Sequence, residues 1–475
     1  MIATEPMRGD QRGQLIELFE QQRAHQYTVG RSTAKARIAK LKRLLRAVQA
    51  HRHEIQRALY QDFRKPPEEV DLVETFIVTG EIKHAIRHLR RWMRPQRVGT
   101  PLHLIGSRSY VRYDPKGVCL LISPWNFPLN LTLGPLVGAI AAGNCVIVKP
   151  SEHTPHIAAL MQRLLESCFQ PREIAMVQGD AETAKALLEL PFHHIFFTGA
   201  PSIGKLVMRA AAKHLSSVTL ELGGKSPTIV DETADVDTAA ARIAHGKWSN
   251  AGQICIAPDY VLVHHSREAE LVAALRRCLT EFYGEQPQQS AAYARMVNGR
   301  HFERVRAYLA DAVERGATVV AGGGVHAASD YIAPTLLTNV PADSQVMTEE
   351  IFGPLLPIRT YRRLDEAIDH INAGEKPLAL YLFSKRQAHI DRVLAETRSG
   401  GVCINHSAMH FYNNHLPFGG ANNSGTGSDH GWFGFEAFSN RKAVYRQLFP
   451  GPTSLLTPPY TGWKRWIIEQ TLRWF

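Results

Sequence analysis

Beginning at Gly117, short apolar runs that end in turn residues alternate with longer stretches of helical spacing. GVCLLIS, NCVIVKP, IAMVQG, HHIFFTG and VTLELGG read as strands, and LGPLVGAIAAG, HIAALMQRLLESC and SIGKLVMRAAAKHL between them read as helices. Strands without polar alternation are buried on both faces, so the pattern predicts a parallel sheet covered by helices on both sides. A second α/β set follows Gly224, with PTIVD, DYVLVHH, ATVVAGG, TLLTNV and LPIRTY as strands and helices such as REAELVAALRRCLTEFY among them. At 475 residues the chain exceeds what one simple core holds, and two or more domains are expected.

Different material flanks these sheets. Residues 10–95 read as helices, with Leu41, Leu44, Leu45 and Val48 at helical spacing, an interruption at Pro66–Pro67 and a close at Pro95. Residues 96–113 carry β-formers around a Gly-Ser turn and suggest an extended hairpin or arm. The segment 450–462, PGPTSLLTPPYTG, reads as a linker to a short final helix.

Charge is uneven along the chain. Residues 1–100 hold 20 Lys and Arg against 11 Asp and Glu, and residues 441–475 hold six against one, while the body between them is mildly acidic. Two basic ends suggest attraction to an anionic surface, although solvated helix faces are the plainer and preferred reading. Nucleic acid is not an expected partner, because no helix-turn-helix, RNP or zinc-finger pattern accompanies the charge. The six cysteines are scattered without a C-x-x-C pair, which predicts reduced thiols and a cytoplasmic protein. The opening MIATEPMRGDQRGQ has neither the apolar core nor the cleavage site of a signal peptide, and no apolar run approaches the ~20 residues that span a bilayer.

Six segments carry chemistry-bearing residues. In HHIFFTGAPSIG a strand ends at Gly199 and a helix begins around Ser202–Gly204, a turn that lets backbone approach a ligand and offers free N–H groups to a pyrophosphate. It is not G-x-G-x-x-G, and alone it is as readily a structural turn. VIVKPSE places Lys149 and Glu152 just past a strand, where an acidic residue can hold ribose hydroxyls, although such residues are also common on surfaces. Glu221 lies inside the apolar strand VTLELGG, either as a general base with a raised pKa or as a structurally bonded carboxyl. Cys255 follows Gly252 and Gln253 in a turn-like setting that can expose a thiolate, although a lone Cys is usually a small apolar residue. SPWNFP offers Trp125 and the Asn126 amide, suited to an oxyanion. EEIFGPLLPI offers Glu350 for a second ribose, with Phe352 beside it.

Together SPWNFP, VKPSE, FFTGAPSIG, LELGGKSP, GQIC and EEIFGP resemble the aldehyde dehydrogenase superfamily, in its order and at compatible separations. The 34 residues from Glu221 to Cys255 match the family's interval between base and nucleophile. The resemblance runs from about residue 30 to about 445. In GQICIAPDYVLV and in the closing LPFGG, SGTG, HG and FS segments the chain is similar to the class 3 branch, which includes fatty and aromatic aldehyde dehydrogenases. ANNSGTG at 421–427 and His415 before LPFGG depart from that branch, and both bear on substrate range.

The resemblance implies an α/β aldehyde dehydrogenase-like fold: a Rossmann-type cofactor domain, a second α/β catalytic domain and a small β oligomerisation arm. It divides the chain into an NAD(P)-binding domain (1–95 and 114–224), a catalytic domain (225–420), oligomerisation or bridging elements (96–113 and 421–450) and a linker with a C-terminal amphipathic helix (451–475). It makes Cys255 the nucleophile, Glu221 the base and Asn126 the oxyanion donor. Lys149, Glu152, Gly199, Ser202, Gly204, Glu350, Phe352 and Trp125 become cofactor contacts. Glu152 leans toward NAD, because a carboxylate repels a 2′-phosphate, with NADP retained as a second cofactor. Glu221 favours hydrolysis to a free acid over transfer to coenzyme A. The substrate is expected to be a lipophilic aldehyde, long-chain or aromatic, and the assembly a homodimer.

The tail WKRWIIEQTLRWF holds three of the seven tryptophans, with Trp463, Ile467 and Trp474 roughly on one helical face among Lys464, Arg465 and Arg473. Aromatic and basic residues together suit peripheral membrane contact or the mouth of a channel for lipophilic aldehydes; the alternative is packing on the body or on a partner subunit. His406, His410 and His415 gain no Cys or carboxylate at ligand spacing, so no metal is expected. Two other readings remain: an idle site on the same fold, or a cofactor-independent ester hydrolase using Cys255 and Glu221.

Overall fold

The computed structural model describes residues 9–452 and 456–474. The first eight residues of the opening segment, 453–455 of the expected linker, Phe475 and the side chain of Trp474 lie outside the described residues.

The apolar runs after Gly117 become five parallel strands: Val118–Ile122, Cys145–Lys149, Ile174–Met176, His194–Gly199 and Ser217–Leu222. In space they run 217–222, 194–199, 118–122, 145–149, 174–176, so the strand order reverses direction between 118–122 and 194–199. The crevice outside the carboxyl ends of strands at such a reversal is where α/β sheets bind ligands. On one face, helices Ala34–Ala50, Phe76–Trp92, Asn130–Ala142 and Pro155–Cys168 bury Leu41, Leu89, Leu136 and Leu164 in one cluster. On the other, Gly9–Gly30 and Pro201–Ala212 bury Phe19 and Val207. The Pro66–Pro67 interruption is real: a helix ends at Phe63, Arg64 turns left-handed at φ 56°, and a short helix restarts at Pro67.

A sixth, antiparallel strand completes this sheet. Gly425–Thr426 pairs with Leu220–Glu221, so the chain returns late in its course to close the edge beside Glu221. Gly425 sits at φ +148°, and a Cβ there would lie 2.3 Å from the Leu220 carbonyl, which only glycine tolerates.

The second sheet has seven strands, in the order Thr318–Ala321, Thr335–Thr338, Leu355–Tyr361, Tyr260–His264, Pro227–Val230, Ala379–Phe383 and Gly401–Ile404. All pair in parallel except Thr318–Ala321 at the edge. Gln96–Arg97, Ser107–Pro115 and Ser439–Gln447 form a third, antiparallel sheet whose edge strand, 439–447, is mostly exposed. The final helix, Gly462–Trp474, presents Trp463 and Trp466 at 52% and 61% exposure. No helix among the described residues is long and apolar enough to cross a membrane.

Candidate active site

Cys255 is presented by a strained turn. Helix Val236–Trp248, capped by the Asp235 side chain accepting from Thr238 N at 3.0 Å, runs into Ser249–Gly252. There Asn250, Ala251 and Gly252 take φ of +52°, +52° and +75° in succession. Non-glycine residues at such angles store strain that the surroundings must hold. Gln253, fully buried, does so: its Nε2 donates to the carbonyls of Asn250 (2.9 Å) and Arg295 (3.0 Å), and its Oε1 accepts from Val297 N at 3.0 Å. Gly252 has no room for a side chain, because a Cβ would meet the Gly353 carbonyl at 2.2 Å.

The turn opens Cys255 onto a pocket walled by Val73, Phe127, Leu131, Ile254, Ile256, Met409, Phe411 and Tyr412, with His245, Ser249 and Asn130 as its polar members. Part of the thiol surface faces this opening, yet apolar walls enclose it closely. Burial first, then the charges of Glu221 and Glu350, push the Cys255 thiol far up from its ordinary value. Asn126 is 3% exposed and reaches across to the same turn, its Nδ2 donating to Gln253 O at 3.1 Å. Asn250 Nδ2 donates back to Asn126 O at 3.0 Å and to Gln253 O at 3.1 Å.

Glu221 lies on strand Ser217–Leu222, 3% exposed, with Oε1 lacking a partner. Burial, reinforced by the charge of buried Asp429, holds its carboxyl well above the usual range.

At the carboxyl ends of the first sheet stand the remaining candidates. Lys149 Nζ bonds Glu152 Oε2 at 2.8 Å. Burial alone would raise the Glu152 carboxyl, but that bond and the charge of Lys149 hold it below its ordinary value. Gly199 ends its strand, and Ser202 is exposed in the first turn of Pro201–Ala212, whose N-terminus carries no side-chain cap. Gly204 lies inside that helix rather than in the turn; its absent Cβ lets the helix sit on Leu222, 2.7 Å from where that atom would be. Glu350 Oε1 accepts from Gly224 N at 3.1 Å, and its carboxyl is pushed up to about 8 by burial, then by Asp259. Gly223 must stay bare, since a Cβ would stand 2.2 Å from Glu350 Oε2. Trp125 packs against His301 (4.8 Å between centroids) and edge-on to Phe352 (5.4 Å).

A dinucleotide fits this edge. The strand reversal, the uncapped helix N-terminus, the lysine–carboxylate pair and the unpartnered, buried Thr198 hydroxyl all gather there. Of the three histidines, His410 does meet a cysteine, contrary to the sequence expectation: Cys403 Sγ lies 3.1 Å away; His415 packs on His84 at 4.9 Å, and His406 bonds Ser407. Sequence reasoning passed over Gln253, Asn250, Asp429 and the buried pair Lys65–Glu74.

Residues 7–444 match the aldehyde dehydrogenase family. The chain is 44% identical over 422 residues to the 4,4'-diaponeurosporen-aldehyde dehydrogenase of Staphylococcus aureus, covering 89% of this chain and 91% of that one. Human aldehyde dehydrogenase family 3 member B1 is 46% identical over 411 residues, 86% of each chain. Among solved structures, Staphylococcus aureus AldH in a substrate-bound state superposes with a TM-score of 0.92 at 42% identity, covering 96% of this chain and 99% of the other. A Mycobacterium tuberculosis aldehyde dehydrogenase complexed with NAD+ gives 0.84 at 28% identity, over 93% and 91%. The expected family and its class 3 branch are thereby borne out: this chain belongs to the aldehyde dehydrogenase family.

Proposed function

We propose that the protein oxidises lipophilic aldehydes to carboxylic acids, with NAD or NADP as acceptor, through a thiohemiacetal and then a thioester on Cys255. The observation that carries this reading is the opening of Cys255 onto an apolar pocket while the Asn126 amide bonds the carbonyl of Gln253, two residues before it.

Attack by the Cys255 sulfur on the aldehyde carbon moves the carbonyl electron pair onto oxygen. That oxyanion is received by Asn126 Nδ2 and the Cys255 backbone N–H. Burial keeps the resting thiol protonated, so attack requires loss of its proton to solvent; Glu221 speeds that loss and passes the proton on, so that Glu221→Gln slows attack without abolishing it. When bound, the nicotinamide supplies the acceptor for the hydride that leaves the substrate carbon. Glu221 then takes a proton from the water that attacks the thioester, the sulfur leaves, and the acid is released. Lys149 and Glu152 would hold one ribose and Glu350 the other, with Phe352 and Trp125 beside it and Gly199 and Ser202 at the pyrophosphate. The complex of the Mycobacterium tuberculosis neighbour with NAD+ supports that cofactor class.

The same reading makes the first sheet the cofactor domain (1–95 and 114–224) and the second the catalytic domain (225–420). It takes the chain as a homodimer joined through 96–113 and the segment after about 425, with the exposed aromatic tail touching a membrane from the cytoplasm.

The test is the intact mass of Glu221→Gln after incubation with NAD and decanal. The expected result is a stoichiometric mass gain of one acyl group, absent in Cys255→Ala. No adduct in Glu221→Gln, with wild type also inactive, would sink the reading.

A further inference from the structure

Lys65 and Glu74 are both 0% exposed and form an ion pair at 2.8 Å. Removing two charges from water is expensive, and a buried pair is a poor source of stability compared with apolar residues of the same size. What it does provide is fixed geometry, because charge-assisted hydrogen bonds are short and strong.

This pair grips the main chain around the pocket. Lys65 Nζ donates to Asn126 O at 3.3 Å and stands 3.9 Å from the Phe127 ring centroid. The second Glu74 oxygen accepts from Asn130 N at 2.7 Å. One ion pair therefore clamps both ends of 126–130, a segment that carries the Asn126 amide and two pocket-lining residues, Phe127 and Asn130. Because Asn126 O also accepts from Asn250 Nδ2, the clamp continues into the turn that presents Cys255. Glu69 lies beside both: burial pushes its carboxyl up to about 7 against the pull of Lys65 and then of the Asn250 backbone.

The local backbone is bent to deliver the pair. Arg64 takes φ 56° immediately before Lys65, swinging the chain out of helix Arg52–Phe63. Glu74 sits in a π-helical turn, Asp71–Thr75, an irregularity that is uncommon outside functional sites.

We propose that Lys65 and Glu74 are positioning residues: their buried ion pair fixes the 126–130 main chain so that the Asn126 amide meets the oxyanion formed at Cys255. The inference rests on Asn126 being the oxyanion donor.

The experiment compares wild type, Cys255→Ala, Asn126→Ala, Lys65→Met/Glu74→Gln and the triple variant. Glutamine keeps an acceptor for Asn130 N, and methionine fills the lysine's space. The neutral pair is expected to fold with a wild-type melting transition. Its kcat falls about 10- to 100-fold, as misplacement of a reacting group by about an ångström does, while KM changes less than about threefold. Added to Asn126→Ala, it lowers kcat by less than about twofold, because both act through one amide. Full activity in the neutral pair, or losses that multiply in the triple variant, overturns the proposal while leaving the thioester reading intact. An inactive wild type fails that reading instead. Hydrogen exchange then decides the clamp: faster exchange confined to 126–131 and 249–253 supports it, and unchanged protection overturns it. If the neutral pair does not fold, Glu74→Gln alone carries the same expectations at smaller size.

Discussion

Around Cys255, burial acts on the thiol and on three carboxyls in a direction that disfavours charge. The thiol, Glu221 and Glu350 are all raised, and Asp429 is pushed up to about 6 by burial. A base must be ionised to work, so kcat falls as the pH drops through the raised Glu221 value, above the usual carboxylate range. Asp429→Asn removes the like charge that adds to this rise, and its acid limb should move to lower pH. A pH–rate profile in which that limb stays in place would mean Asp429 does not act on Glu221. Asn126→Ala should lower kcat by ~10²–10³, read by steady-state kinetics at saturating aldehyde. Cys255, Glu221 and Asn126 were legible through six motifs taken together in their order along the chain; each motif alone left a structural alternative open. Lys65, Glu74 and Asp429 were not, because only long-range packing buries them and a charged residue reads first as solvated.

Elements carry the second set of consequences. The turn Ser249–Gly252 ends a capped helix in three left-handed residues, and Gly252→Ala would drive a Cβ into the Gly353 carbonyl. That variant should lose most activity and melt lower, by about 1–3 kcal/mol, in paired thermal unfolding and turnover assays. Strands of the first sheet were readable because each apolar run ends in a turn residue between helical stretches. Ala379–Phe383 and Gly401–Ile404 escaped: ALYLF lies in a Leu- and Ala-rich run with no period that separates helix from strand, and GVCI is four residues long. Gly425–Thr426, two residues pairing beside Glu221, has no local signal at all; its pairing exists only through the tertiary return of the chain.

At the scale of the molecule, strand 439–447 is exposed and, among the described residues, stands at the edge of an antiparallel sheet, a position that a second copy can extend. Light scattering should give a dimer mass, and Lys442→Pro, which places a proline within that strand, should shift it toward monomer. The exposed Trp463 and Trp466 sit beside basic residues, so anionic vesicles should pull down the full chain in a salt-sensitive way, and deletion of 455–475 should abolish it. Equal sedimentation of both forms would contradict the membrane reading. The proposed chemistry turns on Cys255, and its most direct measurement is reduced-cofactor formation by wild type and Cys255→Ala, with NAD and with NADP, across short, long-chain and aromatic aldehydes. Turnover by wild type that favours the apolar aldehydes, and none by the variant, is expected; turnover that survives in Cys255→Ala, or none in wild type with any aldehyde, would overturn the thioester route.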